Sequence, residues 1–351
     1  MKVSIIIPIY NVESYVKRCL ESVMAQDRVE ADMECVIVDD CGQDHSMEVV
    51  RQTVGGYQGP ISFVIVEHEK NRGLSAARNT GLSKATGDYV MFVDSDDYLQ
   101  PDSISYFLDN LKHYPGVDIM VGNVISPSAS ECMMSQIKEP MLINTPGTFF
   151  RQLLYHQIYL YAWNKLIRRE VLVAHQILFE EGVFYEDQLW SYLLSYNIQS
   201  VLVLPRVTYV YENNPGSIVN TTLTPVKAPK VVESYLLMSN RILDNPPDSE
   251  RNHCCVTVDY LLFVGQILMN ASDVLPYVGG KSDNIKQFRL TRGRLMQCTL
   301  SEKRMLLAAF FMLLYSPWSN LKRWAWFRHH YHHFEQIVGK ISHLTDFMHR
   351  I

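Results

Sequence analysis

The chain has 351 residues, 47% hydrophobic and 20% charged, a composition typical of soluble globular proteins. That length is enough for about two structural units with a proper core. A formal net charge of −5 gives no reason to expect nucleic acid as a partner. No stretch reaches the ~18–20 apolar residues that a spanning helix needs. Residues 3–9 are too short, and too interrupted by Pro8, for a secretory signal. The seven cysteines (19, 35, 41, 132, 254, 255 and 298) are odd in number and lack zinc-ligand spacing. They read as reduced thiols of a cytoplasmic protein.

Residues 3–8 are β-branched and read as a buried strand. Residues 14–26 carry apolar side chains at helical spacing. A second strand over 34–38 ends in Asp39-Asp40. The spacing predicts a helix over 46–54 with Ser46 as its N-cap, a strand over 61–66 and a helix over 74–85. A fourth strand, 89–93, runs into Asp94, followed by a helix over 102–113 and a strand over 117–122. Strands without polar alternation that alternate with helices imply an α/β fold, its central sheet mostly parallel and flanked by helices. Ligands of such sheets bind beyond the carboxyl ends of the strands. Three polar strand ends meet that description: Pro8-Ile9-Tyr10-Asn11, Asp39-Asp40 and Asp94-Ser95-Asp96-Asp97.

Asp94 and Asp96 stand two apart after a buried strand and would face one side if the chain stays extended. Paired carboxylates of this kind could hold Mg2+ or Mn2+ against a diphosphate. Taken alone, the four residues read equally well as a solvated loop. Upstream, Asn71-Arg72-Gly73-Leu74-Ser75-Ala76-Ala77-Arg78-Asn79 offers close backbone approach at Gly73 and a helix start whose amides could face phosphate. Arg78 could reach a diphosphate, or pair with an acid. Asp39 and Asp40 could accept from a base or ribose, or serve as turn acids. Tyr10 could stack on a base, or be an ordinary rim aromatic.

The runs Val3-Ser4-Ile5-Ile6-Ile7-Pro8-Ile9-Tyr10-Asn11, Val38-Asp39-Asp40, Asn71 to Asn79 and Asp94 to Asp97 closely resemble the family 2 inverting glycosyltransferases of the GT-A (Rossmann-like) fold. Order and spacing match over about the first 125 residues. The resemblance implies a uracil contact at Asp39, nucleoside contacts at Pro8 and Tyr10, and ribose and diphosphate contacts near Asp94. It implies metal coordination by Asp96. Asn11, Asp40, Asn71, Gly73, Arg78, Ser95 and Asp97 join the donor-binding set.

Farther on, Trp163-Asn164-Lys165-Leu166, Phe179 and Glu186-Asp187 resemble the acceptor half of bacterial polysaccharide-assembly members. That resemblance implies Asp187 as general base, Glu186 as its neighbour or substitute, and Trp163 and Lys165 as acceptor contacts. Read from the residues alone, the acidic pair could equally open a helix as its N-cap. Tyr209-Val210-Tyr211 resembles a family strand usually followed by arginine, and here Glu212 follows.

The expected organisation is a catalytic domain over 1–220, with a nucleotide-sugar half (1–125) and an acceptor half (126–220), and a helical region over 221–351. Residues 286–351 carry eleven Lys and Arg against three acids, giving +8 there and −13 over 1–285. The apolar, aromatic and basic mixture of residues 305–328 suits either a helix in a membrane interface or a packed bundle. Residues 329–333, rich in His, lack accompanying ligands and read as solvated. The expected function is metal-dependent transfer, with inversion, of a sugar from a UDP-sugar to a glycan or lipid-linked acceptor. The expected location is the cytoplasm, peripheral on the inner face of the cell membrane where the tail anchors it. A UTP-dependent nucleotidyltransferase would want a basic, Gly-rich N-terminal loop, which residues 8–13 are not. A non-catalytic sugar-nucleotide or glycan-binding protein would have little need of Asp94, Asp96, Glu186 and Asp187 together.

Overall fold

The computed structural model describes residues 1–26, 30–144, 153, 158–215, 224–246, 254–278 and 282–301. The expectations for residues 305–333 therefore fall outside the described residues.

Nine strands form one sheet in the order β3-β2-β1-β4-β8-β6-β9-β5, with β7 also paired to β9. The first four are β1 (Lys2–Ile9), β2 (Asp32–Asp39), β3 (Ser62–Glu67) and β4 (Tyr89–Phe92). All pair in parallel, as β-branched runs buried on both faces require. Beyond them lie β5 (Tyr98–Leu99), β6 (Ile119–Ile125), β7 (Met141–Ile143), β8 (Lys165–Arg168) and β9 (Val201–Val210). Strand β8 enters antiparallel between β4 and β6, while β6 and β9 are parallel. Six strands thus share one direction, and β5, β7 and β8 oppose them. The insertion of β8 matters for function, because it brings Trp163 beside the end of β4.

Helices α1 (Val16–Met24), α2 (Ser46–Gly55), α3 (Leu74–Lys84) and α4 (Ser103–His113) flank the sheet. Helix α2 begins at Ser46 with His45 at its cap, so Ser46 is not the N-cap. The Ser46 hydroxyl instead accepts from the Val12 amide and donates to Asp44. Helix α3 lies close against β1: a Cβ added at Gly81 would come within 2.3 Å of Ile6 Cγ2. Its small residues Ser75, Ala76 and Ala77 are buried, and so is Arg78. Of the two cations on this helix, Arg78 is carried into the interior while Lys84 at its end stays exposed.

Two more helices, α5 (Arg169–Ala174) and α6 (Asp187–Asn197), belong to the second half. Beyond them come α7 (Ala228–Asp244), α8 (Cys254–Val274) and α9 (Ser282–Ser301). Leu189 and Tyr192 of α6 share a second hydrophobic core with Val231, Met238, Leu261 and Leu295 of these three helices. The described part of the helical region therefore packs on the element that carries Asp187. No helix among the described residues is long and apolar enough to cross a membrane.

Candidate active site

A cleft of about 950 Å³ opens beyond the carboxyl ends of β1, β2 and β4. It brings together Pro8, Tyr10, Asn11, Asp40, Asn71, Gly73, Arg78, Asp94, Ser95, Asp96, Glu186 and Asp187. Twelve of the sixteen residues singled out above thus share one cavity. Asp39, Asp97, Trp163 and Lys165 are not among its lining residues.

Tyr10 is exposed at the rim. Asn11 adopts a left-handed φ of 51° and accepts from the Gln43 amide at 2.8 Å. One Asp39 oxygen accepts from the Cys41 amide at 2.9 Å. The buried Asp40 holds a loop in place. Its carboxylate accepts from the Arg72 and Gly73 amides, both at 2.8 Å, and from the Asn71 side chain at 3.0 Å. His68 Nδ1 sits 2.7 Å from the same carboxylate. Four protein partners leave Asp40 a scaffold for the segment 68–73 rather than a donor ligand. Gly73, at φ 88° and ψ 165°, occupies a region essentially closed to other residues. A Cβ there would meet nothing, so its requirement is conformational.

Arg78 departs most from its expected role. One terminal nitrogen donates to Asp94 at 2.8 Å; the other donates to Glu186 at 2.8 Å and Asp187 at 3.0 Å. The side chain is 1% exposed and its Nε has no partner. The guanidinium ties Asp94 to the acidic pair. Burial disfavours its charge, but Asp94, Asp187 and Glu186 outweigh that and hold it protonated. The pair is brought there by a reciprocal bond. Asn79 donates to the Phe179 carbonyl at 2.8 Å and accepts from the Phe179 amide at 2.9 Å, fastening the incoming strand of chain to α3. Glu186 then stands at the cap of α6 and Asp187 is its first residue. Helix start and candidate base are thus one and the same feature. Burial, then Asp187, raises the Glu186 pKa; burial, opposed by Arg78, raises that of Asp187.

After β4, Asp94, Ser95 and Asp96 reach the cleft while Asp97 turns inward. Asp97 is 1% exposed; it accepts the Tyr209 hydroxyl at 2.7 Å and the Glu212 amide at 2.8 Å. Burial, then Asp94 and Asp96, pushes it up to about 9. It anchors a loop and lies outside the residues that line the cleft. Asp96 accepts from the Asn214 side chain at 2.9 Å. Burial, then Asp94, raises its pKa. Glu212, standing in place of an arginine, pairs with Arg18 of α1 at 2.7 Å.

Among the described residues no group of three or more His, Cys, Asp and Glu forms a ready-made metal cage. The donor set still fits a divalent cation. Among the described residues, five carboxylates line the cleft (Asp40, Asp94, Asp96, Glu186, Asp187) against one cation, Arg78, whose terminal nitrogens are engaged. A diphosphate entering there needs positive charge from elsewhere. Asp96, with Asp94 beside it, would hold an oxygen-seeking ion whose remaining ligands come from phosphate and water.

Trp163 and Lys165, expected to touch acceptor, are interior. Trp163 is 2% exposed and stacks between Tyr161 at 4.9 Å and Tyr209 at 4.8 Å. Lys165 is fully buried; its ammonium donates to the Tyr159 and Tyr161 carbonyls and lies 4.1 Å from the Tyr159 ring centre. Burial depresses it to about 7. Both residues brace the segment 159–161, which does line the cleft. The aromatic wall of the cleft was not anticipated. It consists of Met133, Leu160, Tyr161, Tyr185, Tyr211 and, from α7, Tyr235. Tyr185 and Tyr211 sit inside motifs visible in the sequence. Tyr235 carries no local signal, being one apolar position of a helix.

Residues 4–174 match Glycosyl transferase family 2. This stretch belongs to that family. GlyA of Streptococcus pneumoniae serotype 4, a glycosyltransferase, is 30% identical over 62% of the chain and 31% of its own length. The putative glycosyltransferase EpsH of Bacillus subtilis is 29% identical over 62% of each. The chain therefore spans less than two thirds of either relative. Among solved structures, S. aureus TarS 1–349 in complex with UDP-GlcNAc superposes with a TM-score of 0.65 at 23% identity, over 85% of this chain and 81% of that one. The family 2 fold is thus the GT-A arrangement expected from the four linked motifs.

Proposed function

We propose that the chain is a metal-dependent inverting glycosyltransferase. It moves a sugar from a UDP-sugar to a glycan or lipid-linked acceptor in cell-surface polysaccharide assembly. The observation that carries this reading is the shared guanidinium. Arg78 binds Asp94 on the donor side and Glu186 and Asp187 on the other, so donor carboxylate and candidate base face one cavity. A TarS structure with UDP-GlcNAc supports a uridine nucleotide as donor.

The acceptor hydroxyl attacks the anomeric carbon from the face opposite the leaving UDP. Asp187 takes the hydroxyl proton as the new C–O bond forms, and the bond from C1 to the phosphate oxygen breaks. Its raised pKa suits a proton acceptor, since Brønsted behaviour favours a base nearer the working pH. Glu186 shares the Arg78 charge and keeps the base oriented. The start of α3, with Gly73 and Leu74, faces the space where the diphosphate would lie. Asp96 would hold a divalent cation, which would supply charge to offset that of the departing diphosphate.

The test is UDP release from a panel of UDP-sugars, with and without EDTA. Release that EDTA abolishes and Mn2+ or Mg2+ restores is expected. Metal-independent UDP binding with no release from any donor would sink the enzyme reading.

A further inference from the structure

The aromatic wall of the cleft has a chemistry of its own. Tyr185 and Tyr235 stack with ring centres 5.3 Å apart and planes 7° from parallel. Tyr235 is 7% exposed and stacks on Tyr185, which is partly buried and, like Tyr235, lines the cleft. Tyr185 adopts a left-handed φ of 62°, a conformation that costs a bulky residue energy and that persists where surrounding structure demands it. The demand comes from α7: Ser234 accepts from the Phe184 amide at 3.0 Å, one residue before the stack. Tyr185 also immediately precedes Glu186-Asp187. A second aromatic, Tyr161, is exposed in the same cleft and sits near enough to Asp187 to feel its charge. Met133 adds an exposed apolar side chain.

Two flat rings beside a base invite a ring-shaped acceptor. The face of a pyranose that carries axial C–H groups is attracted to the negative face of a tyrosine ring. An anionic acceptor meets the opposite conditions. Glu186 and Asp187 adjoin this wall, and among the described lining residues Arg78 is the single cation, already held by three carboxylates.

We propose that Tyr185, backed by Tyr235 and accompanied by Tyr161, forms an acceptor subsite for an uncharged pyranose that stacks on the Tyr185 ring. The subsite excludes polyol phosphates. This assignment rests on the glycosyltransferase reading and names the acceptor class for the same cleft. It also makes α7 part of the substrate-recognition surface.

Saturation-transfer NMR on the full chain, with UDP and diamagnetic Mg2+ present, tests it. The probes are methyl β-D-glucopyranoside, methyl β-D-galactopyranoside, methyl N-acetyl-β-D-glucosaminide and ribitol phosphate. At least one pyranoside should bind through its ring C–H groups, and ribitol phosphate should not. Tyr185→Ala should weaken pyranoside binding by about tenfold, which about 1.4 kcal/mol of stacking would produce. Tyr185→Phe and Tyr235→Phe keep the rings and should keep binding. Absence of binding by every pyranoside, binding by ribitol phosphate, or undiminished binding in Tyr185→Ala would each overturn the assignment. A parallel UDP titration reports that Tyr185→Ala has folded. Failure of the unaltered chain to bind UDP would instead overturn the glycosyltransferase reading.

Discussion

Arg78 holds Asp187 at 3.0 Å across 109 residues of sequence, and the same guanidinium holds Asp94. Sheet half and acceptor half are thereby joined at one buried cation. Replacing it with Met leaves three carboxylates near one another without a countercharge. Arg78→Met should lower the unfolding free energy by about 3–5 kcal/mol, the usual cost of removing one partner of a buried ionic network. Urea denaturation followed by circular dichroism measures this; a loss below about 1 kcal/mol would mean that the network is solvated.

Asp187→Asn removes the proton acceptor while keeping the shape of the α6 start. Transfer should fall about 100- to 10,000-fold, the range that general-base catalysis supplies. UDP affinity, read by calorimetry, should persist, because the donor side is formed by other strands. Glu186→Gln should have the smaller effect. Equal loss of UDP binding and transfer in Asp187→Asn would mark the residue as structural.

Gly73→Ala tests conformation alone, since the added methyl meets open space. At φ 88° and ψ 165° it should cost about 1–3 kcal/mol. The start of α3 should shift with it, weakening UDP binding. A thermal midpoint and UDP affinity equal to those of the unaltered chain would show that the loop can re-form elsewhere in φ.

Glu34 gives a pH signature away from the cleft. Burial alone would raise its pKa, but Lys2 at 2.5 Å, Ser4 and Thr86 outweigh that and hold it from its ordinary 4.5 down to about 2. The folded pKa is depressed, so its stabilisation is fully present above about pH 4.5 and drains away as pH falls toward 2. Unfolding free energy should therefore decline over that window, and Glu34→Gln should flatten the decline. Parallel curves for both chains would assign the acid sensitivity to other groups.

The first half was legible because β1 and β2 are β-branched runs with no polar alternation, a pattern that implies burial on both faces, while the edge strand β3 keeps Val64 exposed. The polar strand ends followed from the same reading, as Asp94, Asp96 and Tyr10 illustrate. The second half was less so. Strand β8 is four residues long, and its antiparallel entry between β4 and β6 depends on long-range pairing that local pattern does not encode. Trp163 and Lys165 were expected at the acceptor because the run 163–166 resembles the acceptor half of the family. Only the tertiary packing shows that one completes a ring stack and the other braces two carbonyls. Asp97 and Asp40 were grouped with their neighbours, yet each turns its carboxylate toward backbone amides. Arg78 was legible as a site residue but not as a clamp, since Glu186 and Asp187 lie 108 and 109 residues downstream of it.

Tyr235 reaches the cleft from α7, beyond the point where a catalytic domain was expected to end. A chain cut after β9 would lack one wall of its own cavity and the core that seats α6. The helices after residue 228 are thus unsuited to removal: replacing them would change both the side chain that Tyr235 supplies to the cleft and the core on which α6 rests.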